Sequence, residues 1–142
     1  MRLSPGVPDT RGPLTVVVAN SLSNHTDLVG VYLAFLPPGG SSNPGGCAPT
    51  GVQNLGAFSL LPGEKITIRI DPPWTCTNPA AVDGMSWTLR AIADVHGDDF
   101  ASCTTLTQVF NGQCSAAVAD DDDNDVNNIR PRARPIVVAL SP

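Results

Sequence analysis

The chain has 142 residues, 15% of them charged, with a formal net charge of −5. That length suits one domain burying roughly two-thirds of its unfolded surface, and a second core has no room. The acidic balance argues against a nucleic-acid partner, because phosphate binding needs clustered Lys or Arg, and no apolar run approaches the ~20 residues of a membrane span.

Glycine and proline are abundant, at 13 and 14 residues, whereas Lys65 and Glu64 are the single lysine and the single glutamate. Helices laced with ion pairs cannot be built from such a chain. Val, Ile, Leu and Thr fill the apolar runs, and Gly, Pro, Asn, Asp and Ser separate them, which predicts an all-β protein.

Residues Met1 to Pro13, MRLSPGVPDTRGP, have no periodicity. They read as an extended arm that docks on something, with Pro5, Pro8, Arg11 and Pro13 as contact residues. Because the arm lacks an apolar core, it does not read as a secretory signal. The sandwich proper is expected over residues 14–142. It begins with a strand in LTVVVANS, Leu14 to Ser21, followed by LVGVYLAFL, Leu28 to Leu36, in which Val29, Val31, Leu33 and Phe35 share a face. The stretch PPGGSSNPGGCAPTG reads as a long loop with no core of its own. LGAFSL, Leu55 to Leu60, a tight LPGE turn and KITIRI, Lys65 to Ile70, follow. In KITIRI the isoleucines alternate with Lys65, Thr67 and Arg69, so one face should be wet.

Beyond the loop DPPWTCTNPAAVDG lies MSWTLRAIAD, Met85 to Asp94, with Trp87, Leu89 and Ala91 pointing inward. Trp74, flanked by prolines and a cysteine, is read as a contact residue at a loop tip, with packing over the sandwich's open end as the alternative. Further candidates are TLTQVF, Thr105 to Phe110, and a closing strand RPIVVAL, Arg134 to Leu140. About seven strands with two faces to cover make a two-sheet β-sandwich.

Cys47, Cys76, Cys103 and Cys114 allow three pairings, and their spacing does not suit tetrahedral zinc. If strands alternate in direction from Leu14, the loops holding Cys47 and Cys76 share one end of the sandwich, and Cys103 and Cys114 share a loop at the other. Disulfide Cα atoms must approach within about 7 Å, so the expected pairs are Cys47 with Cys76 and Cys103 with Cys114. Such bridges imply an oxidising setting.

The order VVVANS, LVGVYLAFL, NLGAFSLLPGEKITIRI, GMSWTLRAIAD, then ADDDDNDVNNI before PIVVAL resembles the cell-adhesion-related domain of bacterial surface proteins, CARDB. The resemblance spans Leu14 to Leu140 and implies an immunoglobulin-like sandwich close to fibronectin type III. This chain departs from the family's tandem arrangement and has longer cysteine-bearing loops. Those departures point away from ordinary adhesion.

The loudest stretch is Asp120 to Asp125, five aspartates in six positions. Asp121, Asp123 and Asp125 offer hard oxygen ligands for calcium. An EF-hand is excluded, because Val126 stands where glycine is required and Arg132 where a glutamate is. A looser site using Asn127 or Asn128 stays open. The competing reading is a loop whose Asp and Asn cap their own backbone while Arg130, Arg132 and Arg134 screen them. His25 and His96 sit in turn segments without an oriented nucleophile, so no catalytic role is assigned, and no cofactor is expected other than that calcium. The chain is therefore expected to be a structural module on a phage virion surface, attached by its arm to a major capsid or tube protein, with a homo-oligomer within the assembly as one arrangement. The alternative is an adhesion module of a bacterial secreted or cell-surface protein.

Overall fold

The computed structural model describes residues 2–20, 26–95, 129–131, 136–137 and 139–140. The expected strand at Thr105 to Phe110, the pair Cys103 and Cys114, the histidines His25 and His96, and the aspartates Asp121, Asp123 and Asp125 lie outside these residues.

The chain is an all-β, immunoglobulin-like sandwich. Its strands are β1 (Arg2–Leu3), β2 (Leu14–Ala19), β3 (Asp27–Leu36), β4 (Cys47–Ala48), β5 (Gly51–Leu60), β6 (Lys65–Ile70), β7 (Thr75–Cys76), β8 (Ser86–Val95), β9 (Ile129–Pro131), β10 (Ile136–Val137) and β11 (Ala139–Leu140). Five of these eleven strands of the described residues are only two residues long. The larger sheet runs β10-β8-β3-β5, with β9 beside β10 on the same edge of β8. Facing it is the pair β2-β6, antiparallel from Leu14 against Ile70 to Ala19 against Lys65.

Period-two alternation explains the layers. In β2, Leu14, Val16 and Val18 are buried and Thr15, Val17 and Ala19 exposed. In β3, Val29, Val31, Leu33 and Phe35 point into the core, as the sequence indicates. Val16 and Val18 meet Val29, Val31 and Leu60 between the sheets, with Ile66 and Ile68 packed alongside. Towards the other end, Leu14, Leu33 and Phe35 pack with Trp74, Trp87 and Leu89. Each such side chain contributes about 1.5–3 kcal/mol by leaving water.

The LPGE turn lies where expected and swaps the chain between sheets. Glu64 N–H donates to the Leu61 carbonyl at 2.9 Å, and Gly63 sits at φ 74°, the left-handed region that a type II turn demands after proline. Asn20, buried, ties the turn down: its backbone N–H donates to Glu64 O at 2.9 Å and its side-chain Nδ2 to Leu60 O at 3.0 Å.

Three expectations need correction. The Pro37–Gly51 stretch is not a loop without a core, since Pro38 and Cys47 are buried and β4 pairs with β7. Its path is held by Asn43, whose side chain accepts from Cys47 N–H at 2.8 Å and donates to Cys47 O at 3.0 Å. Gly45 is required there, because a Cβ would stand 2.7 Å from Val82 and 2.8 Å from the Cys47 sulfur. Secondly, the acidic stretch does not run as loop all the way to the closing strand, because Ile129–Pro131 pairs with β8. Thirdly, the closing strand serves two partners: Ile136–Val137 pairs antiparallel with β8, and Ala139–Leu140 pairs parallel with β1. No helix among the described residues is long and apolar enough to cross a membrane.

Candidate interaction surface

The arm, residues 2–13, is a strap sewn onto the sandwich. Leu3 is 1% exposed and belongs to the same core cluster as Cys47, Trp74 and Cys76. Its neighbour bonds follow in order along the strap: Gly6 N–H donates to Cys76 O at 2.9 Å, Asp9 N–H to Trp74 O at 2.7 Å, and Trp74 N–H back to Asp9 O at 3.0 Å. The arm thus continues the antiparallel course of β2 beside β6, running on past Asp71 to β7. What it docks on is its own domain.

Trp74 is the pin. Its exposure is 0%, its ring meets Phe35 edge-on at 5.9 Å and Trp87 at 4.8 Å, and its Nε1–H donates to Gly12 O at 2.8 Å. The expected contact role for Trp74 is therefore corrected. A fully buried indole cannot touch a partner, and the flanking prolines aim it inward over the open end of the sandwich. Trp87 is satisfied in the same way, its Nε1–H donating to Pro49 O at 3.0 Å. Behind the pin, Cys47 and Cys76 face each other across the β4-β7 ribbon and form the expected disulfide, with Cα atoms 3.9 Å apart.

A clasp closes the strap. Arg11 donates from Nε and its other guanidinium nitrogen to the two oxygens of Asp9, at 2.9 and 2.7 Å, and its backbone N–H adds a third bond at 2.9 Å. These bonds hold the Asp9 carboxyl at about 2, below its ordinary 3.8, with the Arg11 side-chain bond the largest cause. The unfolded chain therefore takes up the proton first as pH falls. The clasp's contribution is present above pH 3.8 and is lost as the pH drops towards 2. Urea midpoints of the wild type and Asp9→Asn should differ at neutral pH and converge over that window. A gap that persists at the acid end would show that the clasp does not account for it.

Against this frame Pro5, Pro8, Arg11 and Pro13 all stay exposed, and Val7, 55% exposed, stands between the first two. The sequence pointed to these prolines and to Arg11, but not to Leu3, Asp9 or Gly12, which fix them. Leu3 carried a faint signal as the one large apolar residue between Met1 and Val7. Among the described residues no group of three or more His, Cys, Asp or Glu is placed to hold a metal ion. No family model matches the chain, and searches of curated proteins and of solved structures also return no match.

Proposed function

We infer that this protein is a non-enzymatic interaction module that uses its strap to join a larger assembly, with a phage particle's major capsid or tube protein as the partner. One observation carries the reading: Pro5, Val7, Pro8, Arg11 and Pro13 are exposed on a segment whose backbone is already bonded to a buried core. A ridge fixed before binding loses little conformational entropy when it docks, and proline and valine bring apolar area without long flexible side chains. The partner contact is therefore made by side chains. Strand addition to the strap is not part of this reading, since Gly6 and Asp9 N–H groups already have acceptors.

The buried Cys47–Cys76 bridge also supports a second setting, a secreted or cell-surface adhesion module, because such bonds persist in oxidising surroundings. Fractionation of source lysates on a density gradient separates the two. Co-banding with a shell or tube protein at constant ratio supports the particle; banding with the cell envelope selects adhesion; and a chain found only among free proteins sinks both. Val7→Asp with Pro8→Asp, two exposed positions, should weaken association by roughly tenfold or more with no change in melting.

A further inference from the structure

A disulfide is reduced when a thiolate reaches one of its sulfurs, so a buried bridge is cut only after something beside it has moved. Cys47 is 2% exposed and Cys76 0%, in an apolar cluster that also holds Leu3, Trp74 and Val82. The folded chain therefore keeps reductant out. Two segments flank the bridge outside the long strands. On the Cys47 side, the Asn43 side chain bonds both the N–H and the C=O of Cys47, while Asn78 N–H donates to Gly45 O at 2.9 Å and Gly46 N–H to Asn43 O at 3.0 Å. This side is tight, since a Cβ on Gly45 would stand 2.8 Å from the Cys47 sulfur. On the Cys76 side runs the strap, whose Gly6 N–H donates to the carbonyl of Cys76 itself at 2.9 Å.

Of the two, the strap is held more weakly. Only Leu3 and Asp9 among residues 2–13 are buried, and Leu3 is the single side chain that the strap adds to the apolar cluster. By contrast β3 buries Val29, Val31, Leu33 and Phe35. The cost of opening a segment rises with the apolar surface it uncovers, so a segment with one apolar anchor lifts at a free energy far below that of unfolding the sheets. Its remaining fastenings are short: the two-residue pairing of β1 with β11, the Gly6 bond, and the bonds of Asp9 and Gly12 to Trp74.

We propose that the strap gates the Cys47–Cys76 bridge: a dithiol reductant reaches it through a state in which residues 2–13 have lifted while the two sheets stay folded. The exchange balances with that reductant alone. Its thiolate attacks one cysteine sulfur, the S–S electron pair leaves on the other as thiolate, and a mixed disulfide forms. The reductant's second thiol then closes its own disulfide and expels the remaining cysteine, and the two protons it gives up end on Cys47 and Cys76. Once the bridge is cut, β7 has lost its covalent tie to β4, and Trp74 to Cys76 is the segment on which Gly6, Asp9 and Gly12 are fastened. Reduction therefore loosens the strap in turn. By the same linkage, a partner that grips the docked strap keeps the bridge oxidised. The gate itself does not depend on what the strap binds.

Timed reduction of the full oxidised chain by dithiothreitol, without denaturant, tests it. Samples are alkylated at intervals and the peptides carrying Cys47 and Cys76 are weighed, so that only this bridge is followed. Leu3→Ala removes the anchor and should speed its reduction by roughly tenfold or more. Gly6→Ala leaves the core alone, since a Cβ there meets nothing within 4 Å, but it strains a backbone held at φ 67° and should speed reduction about fivefold. Val31→Ala, fully buried in the other cluster, should lower the urea midpoint and leave the rate unchanged. Should Leu3→Ala fail to fold, Gly6→Ala decides alone. Acceleration by Val31→Ala equal to that of the strap variants would mean that reductant enters by global unfolding. A rate indifferent to the strap variants would mean that the cover lies elsewhere. Either result overturns the proposal, as does a bridge that survives in every variant until urea unfolds the chain.

Discussion

Replacing Trp74 by alanine is expected to cost about 4 kcal/mol, the upper range for emptying a large aromatic site. The indole is fully buried and stacked edge-on between Phe35 and Trp87, so no neighbour is free to collapse into the space. The same change removes the donor to Gly12 O and with it one fastening of the strap. Trp74→Phe separates the two effects. It keeps much of the packing but loses the hydrogen bond, and should cost about 1–2 kcal/mol, so packing outweighs the bond. Urea unfolding measures both; the midpoint should fall with an unchanged slope. Hydrogen exchange at Gly6 and Asp9 should also quicken in Trp74→Ala, because their acceptors lie on Cys76 and on Trp74 itself. Protection equal to wild type would mean that the strap holds without its pin.

The second large effect is removal of the Cys47–Cys76 bridge. Its cysteines are 29 residues apart, and closing a loop of that length restricts the unfolded chain by about 3.5 kcal/mol on the chain-entropy account. Both cysteines are buried in one apolar cluster with Leu3 and Val82, so alanine rather than serine is the informative replacement, since a hydroxyl there would add an unpaired polar group. Cys47→Ala with Cys76→Ala should lower the melting temperature by about 10 °C in calorimetry. Against a usual domain stability of 5–15 kcal/mol, either change removes a large share. The two should not add when combined, because Trp74 and the cysteines belong to one cluster. A shift of a degree or two on losing the bridge would show that the β4-β7 ribbon is held by its backbone bonds alone.

Both effects concentrate at the end of the sandwich where the sequence is hardest to read. The strand β2 was legible as a β-branched run closed by turn residues, and β3, β6 and β8 because inward apolar residues recur at every second position; the faces assigned to Val29 through Phe35 and to Ile66 through Ile70 follow from that period. The Leu-Pro-Gly-Glu turn was legible because its backbone needs a residue tolerant of positive φ at the third position. The disulfide followed from strand direction. None of this local logic reaches the strap. Leu3, Asp9 and Gly12 carry no periodicity, and their backbone partners are distant: Leu140 for Leu3 and Trp74 for both Asp9 and Gly12, the last 62 positions away. The same holds for the Pro37–Gly51 stretch, rich in turn residues yet part of the core, and for Ile92, buried at 4% on the face of β8 away from Trp87.

The sequence by itself thus determined the class of fold, the inward and outward faces of its long strands and one covalent link, because alternation, turn chemistry and chain direction are properties of neighbouring residues. Only the tertiary structure decided that the N-terminal segment belongs to the core, that Trp74 looks inward, and that the closing strand divides between β8 and β1. Those outcomes depend on which distant backbone groups and apolar surfaces meet, and burial of that kind is settled by the whole chain at once.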